Sequence, residues 1–258
     1  MNDENLINEI NTKIVSIYKN ENLTPLRGLN DSYELSGKQI LVWHGDVTRH
    51  VWNHYNGHFD YNQNIDDLLF SSDEIVYFTA HLYFYVPYIN TPIKDAYLAG
   101  DKMIYPVFNN LPGKRYDMYL GVVFEKVYNY WDRIGDLIAS FFPDVFRGNV
   151  FFPSTIKKLA IEFPDNPDLN WLLDFVENQY SDFNLQRIDV VHYVSKNTQQ
   201  KWEQLGQVGD YEKSLELTTK ILSFPEYFKE MNELCKLGFE KALNFLEKVN
   251  EIKNYNRE

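Results

Sequence analysis

The chain has 258 residues, 44% hydrophobic and 16% aromatic, with 37 acidic against 25 basic residues and a formal net charge of −12. This apolar content supplies a sizeable buried core and excludes a disordered chain. The acidic balance excludes general attraction to nucleic acid, so any RNA handling has to be local and selective. The single cysteine, Cys235, excludes an intrachain disulfide and a cysteine-based zinc site, which fits a reducing compartment. Residues 1–6 carry neither a basic stretch nor an apolar run. The most apolar segment, residues 75–89, contains His81 and Pro87 and is too short to span a bilayer. A cytoplasmic protein without a membrane partner is expected.

In chain order, Leu6, Ile7, Ile10, Ile14, Val15 and Ile17 follow a helical period and predict a first helix over residues 3–20. Residues 22–37, with Pro25 and Gly28, predict a loop. Residues 40–55 read as helix and residues 57–64 as a break. Ser71-Ser-Asp73-Glu74 has the composition of a helix start, a serine cap with acids in the first turn, and opens an aromatic run that Pro87 and Pro92 end. His81 within that run reads as a hydrogen-bonded core histidine. Residues 101–112 predict an irregular or short-strand connection.

A long helix is expected from about Tyr116 to Phe142, because Leu120, Val123, Val127, Tyr130, Ile134, Leu137 and Phe141 keep an alternating three-four spacing. A short helix around residues 155–161 and another over 169–180 come next, the latter opened by Pro164 and Pro167. A polar loop over 195–209 leads to a helix from Asp210 to about Leu222, which Pro225 is expected to interrupt or restart. Phe228, Met231, Cys235, Ala242, Phe245, Val249 and Ile252 mark a final long helix. The fold class predicted is all-α, with an N-terminal helical region over residues 1–112 and an up-and-down bundle over 113–258.

The segment richest in chemistry is Asn184-Leu-Gln-Arg187-Ile-Asp189-Val-Val-His192-Tyr193. It sets an arginine, an acid and a histidine in apolar helical surroundings. A guanidinium is a permanent donor shaped for phosphate oxygens, and an imidazole exchanges a proton near neutral pH. Five residues turn a regular helix through about 140°, so Arg187 and His192 cannot share one line along it. Asn184 as N-cap would place Arg187 in the first turn, beside free backbone N–H groups suited to an anion.

Arg187-x4-His192, between helices and ending Val-Val-His-Tyr, resembles the HEPN superfamily over roughly residues 115–254. The resemblance implies an all-α bundle, often dimeric. Many members are metal-independent endoribonucleases of toxin–antitoxin, phage-defence or RNA-processing systems, and others are inactive binding modules. It assigns catalysis to Arg187 and His192, with Asp189, Tyr193 and either Asp132 or Asp136 in support. Implied partners are RNA, a second copy of the chain, and an antitoxin or defence protein; no cofactor is implied. The family often places a polar residue directly after the arginine, where this chain has Ile188. The alternative is a non-catalytic module that binds RNA, nucleotide or a protein.

Two rival patterns lie near the N-terminus. Arg49 and His54 repeat the arginine–histidine spacing, with His50 after the arginine. Asp46, His50, His54 and His58 recur every four residues, which on a helix would line up ligands for a divalent metal.

Overall fold

A computed structural model describes residues 3–49, 60–106, 110–146, 150–188 and 208–255. These residues are mostly helical. The helices are α1 (Asp3–Asn20), α2 (Ile40–Thr48), α3 (Tyr61–Tyr85), α4 (Leu111–Ala139), α5 (Phe152–Glu162), α6 (Pro167–Glu177), α7 (Gln179–Ile188) and α8 (Tyr211–Tyr255). Two antiparallel hairpins interrupt them, β1 (Glu34–Leu35) with β2 (Lys38–Gln39), and β3 (Tyr97–Ala99) with β4 (Lys102–Ile104). The first was not anticipated. Its loop, Ser36-Gly37, takes positive φ at both residues, 51° and 74°, the backbone that matches the twist of a two-residue hairpin.

The chain divides into two units, one from Met1–Leu23, Val76–Glu125 and Leu185–Glu230, the other from Thr24–Ile75, Lys126–Asn184 and Met231–Glu258. In the first, Ile14 and Leu23 bury against Val76 and Ala80 of α3, with Ile10, Ile17, Tyr83 and Phe84 packed around them. Phe124 of α4 meets Phe224 and Phe228 of α8 at 6.1 and 4.8 Å between ring centroids. The Tyr83 hydroxyl donates to Glu226, and Lys229 bridges Glu226 and Glu21.

The second unit is organised around Trp131, wholly buried, with the rings of Phe175 at 4.2 Å and Phe152 at 4.9 Å. Two glycines admit this packing. A Cβ on Gly135 would stand 2.8 Å from the Phe152 backbone, and one on Gly238 would overlap the Trp131 ring. A second ring cluster, Phe142, Phe163 and Phe245, lies in the same unit. Asp168, at the start of α6, accepts from Lys241 at 3.1 Å and Lys248 at 2.8 Å.

Helix starts differ from expectation where a side chain caps earlier than the apolar pattern suggests. α3 begins at Tyr61, because the Asp60 carboxylate accepts from the backbone N–H groups of Asn62 and Gln63. Ser71 to Glu74 therefore lie inside α3, and Ser72 is buried, accepting from the Leu26 N–H at 2.7 Å. α4 begins at Leu111, where Asn110 accepts from the Gly113 N–H at 2.8 Å and Pro112 occupies a first-turn position that needs no N–H. α2 ends at Thr48; residues 50–55 of the expected longer helix lie outside the described residues.

Pro225 does not interrupt the last helix: α8 runs unbroken over 45 residues with the proline inside. A helical proline leaves the carbonyl four residues earlier without its N–H. Here that carbonyl belongs to Ile221, and the Tyr116 hydroxyl donates to it at 2.6 Å. A side chain of α4 thus supplies the missing donor. Among the described residues no helix is long and apolar enough to cross a membrane.

Candidate functional site

Arg187 is built on α7. This helix follows a sharp break at Asn178, whose φ of −107° and ψ of −89° end α6 and whose side-chain amide donates to Asp174. Tyr180 and Phe183 are the buried residues of α7. Tyr180 packs on Phe152 at 5.4 Å and on Phe183 at 5.8 Å. Arg187, half-buried, comes one turn after Phe183 and stands in the last turn of the helix. Asp189, His192 and Tyr193 lie outside the described residues.

The expected cap at Asn184 is overturned, since Asn184 sits inside α7, five positions after its first residue, Gln179. At Arg187, in the last turn of α7, the backbone N–H groups are directed into the helix. Within α7, an anion beside Arg187 meets the guanidinium rather than free backbone N–H groups. The sequence pattern hid this because Asn178, not Asn184, marks the break between helices.

The two supporting acids proposed on α4 stand one turn apart. Asp136 accepts from Arg133 at 3.2 Å, and Arg133 also pairs with Asp67 at 3.1 Å. Burial raises the Asp136 carboxyl above the usual carboxylate range, with Arg133 opposing the shift and Asp132 adding to it. Arg133, which the sequence reading did not single out, is thus the cation that engages Asp136. Its helical i+3 spacing from Asp136 is the signal that could have shown this.

Of the metal pattern, Asp46 is described and pairs with Arg49; His50, His54 and His58 lie outside the described residues, as does the histidine of the second Arg49–His54 match. Among the described residues no group of three or more histidine, cysteine or acidic side chains is placed to hold a metal ion. His81 is buried, with Nδ1 2.8 Å from the Tyr77 carbonyl. His44, not singled out in the sequence, is buried on α2, and burial lowers its pKa to about 4, partly opposed by a hydrogen bond with Asn64.

No protein-family model, curated protein or solved structure matches the chain.

Proposed function

We propose that the chain is a metal-independent endoribonuclease of HEPN type, in which Arg187 and His192 act on one phosphodiester. The observation that carries this reading is the place of Arg187. Its helix is anchored by buried Tyr180 and Phe183, its guanidinium stands in the final turn, and the segment that follows bears His192. The mostly helical fold supports the same reading, with residues 113–258 as the HEPN-type bundle and 1–112 as the added region.

Cleavage of RNA without metal needs a base for the 2′-hydroxyl proton, charge stabilisation of the phosphorane and an acid for the 5′ leaving oxygen. Histidine, with an ordinary pKa of about 6.5, suits either proton transfer. Arg187 neutralises the phosphorane, an effect worth about 3 kcal/mol for one well-placed donor. A homodimer that joins two motifs supplies a histidine for each end of the reaction. The test is expression with an inducible promoter, followed by RNA cleavage by the purified chain in EDTA. The expected result is growth arrest relieved by His192→Ala, and EDTA-resistant cleavage reduced at least about a hundredfold by His192→Ala or Arg187→Ala. Cleavage abolished by EDTA, or unchanged in both variants, overturns the proposal.

One observation favours a second reading, a non-catalytic module for RNA, nucleotide or a protein partner: the residue after Arg187 is the apolar Ile188, in a chain of net charge −12. Equal tolerance of wild type and His192→Ala on expression, together with no cleavage in vitro, selects the module.

A further inference from the structure

A ladder of rings on the first unit joins α3 to α4. Tyr77, His81 and Tyr85 follow at four-residue steps on α3, within about 80° of arc. Tyr119 of α4 completes the set. The ring centroids are 4.2 Å apart for Tyr77 and His81, 4.6 Å for His81 and Tyr119, and 5.8 Å for Tyr85 and Tyr119, the last pair nearly parallel at 19°. His81 is the buried rung, while Tyr77 leaves 45% of its surface in water and Tyr85 and Tyr119 are half-buried.

Two features separate this ladder from ordinary core filling. Arg115, one turn before Tyr119, is exposed, its guanidinium donates to the Tyr85 hydroxyl at 3.4 Å, and no described carboxylate pairs with it. In a chain of net charge −12, an exposed guanidinium beside stacked rings is arranged for a planar group that carries negative charge. The second feature is polarity. With Nδ1 of His81 held at the Tyr77 carbonyl as a donor, Nε2 is the acceptor of the neutral ring. Burial favours that neutral form.

Unpaired nucleobases have the matching chemistry: a flat face for stacking, edge donors for an acceptor, and a phosphate one bond system away. We propose that Tyr77, Tyr85, Tyr119 and Arg115 form a stacking platform for single-stranded nucleic acid, with the rings taking bases and Arg115 a phosphate. The platform uses none of the residues of the nuclease reading and does not depend on it.

The test is fluorescence anisotropy of labelled twelve-nucleotide oligo(U) and oligo(dT) with the full chain, oligo(dT) lacking the 2′-hydroxyl that metal-independent cleavage requires. Both strands are expected to bind, and a duplex of the same length much more weakly. Tyr77→Leu and Arg115→Gln should each weaken binding about tenfold, or about 1.4 kcal/mol, whereas Tyr77→Phe should retain it. With one phosphate neutralised, log affinity should fall with log salt at a slope of about −0.7. Arg115→Gln, at an exposed position, keeps the test decisive if Tyr77→Leu does not fold. Four outcomes overturn the proposal: no binding of either strand by the wild type, even if the chain retains a protein instead; affinity unchanged in both variants; a duplex bound as tightly as a strand; or a salt slope several times steeper.

Discussion

At the residue scale, the buried ionisable groups set how the chain responds to acid. His44 has its pKa lowered to about 4 by burial, against about 6.5 unfolded, so the folded state favours the neutral ring. Its contribution is complete above pH 6.5 and is lost as pH falls from there to 4, an effect on the order of 3 kcal/mol. His81, also lowered by burial, acts in the same direction. Urea denaturation of His44→Gln across this window is therefore expected to show a flatter dependence of stability on pH than the wild type; parallel curves would refute the assignment. Asp168 behaves differently. Burial alone would raise its carboxyl, but hydrogen bonds from Lys248 and Lys241 prevail and hold it below the usual carboxylate range. That contribution is present above the unfolded pKa of about 3.9 and disappears only below it. Asp168→Asn should cost about 1–2 kcal/mol at pH 7, discounted because Lys248 is 46% exposed, and less at pH 3.

At the element scale, the glycines and the helical proline show how one helix constrains another. Gly45 lies in α2 with nothing within 4 Å of an added Cβ, so Gly45→Ala is expected to stabilise by about 0.5–1 kcal/mol through helix propensity alone. Gly238 in α8 is also helical, but its Cβ would overlap the buried Trp131 ring, so Gly238→Ala should destabilise by about 1–3 kcal/mol. Thermal melts of the pair check the opposite signs. For Pro225, the Tyr116 hydroxyl replaces the lost backbone donor at the Ile221 carbonyl. Tyr116→Phe should cost about 1 kcal/mol, because a part-buried carbonyl loses its partner. In a Pro225→Ala background, where the N–H returns, the cost should fall by about 1 kcal/mol, as read from a double-mutant cycle. Additive effects would mean that the tyrosine is not filling the place of the amide.

At the scale of the whole molecule, charge and burial act together. The sequence pI is about 5.0, so net repulsion between chains vanishes near that pH, inside the window where the buried histidines begin to oppose folding. Light scattering against pH is expected to show a self-association maximum near pH 5 that shifts little with Asp168→Asn and diminishes with His44→Gln. The same net charge means that the nucleic-acid contacts proposed above, for Arg187 with His192 and for the tyrosines around Arg115, rest on particular groups rather than on a broad field.

The sequence by itself determined the helical class and most element positions, because a side-chain period of about 3.6 follows from backbone geometry and needs no partner to be read. The periods of α1, α4 and the second half of α8 are plain in their apolar residues. The motif Arg187-x4-His192 is equally a property of the chain. Tertiary structure decided what long-range neighbours do. Asn184 reads as a cap, yet the turn at Asn178 places it inside α7. Pro225 reads as a break, yet Tyr116, more than a hundred residues away, supplies the donor that lets α8 continue. Tyr77, His81 and Tyr85 lie in the aromatic run read as buried core, and packing of α3 against α4 in the first unit brought Tyr119 and Arg115 beside them. Local spacing is written in the chain, whereas hydrogen-bond partners across large loops depend on how the helices close on one another.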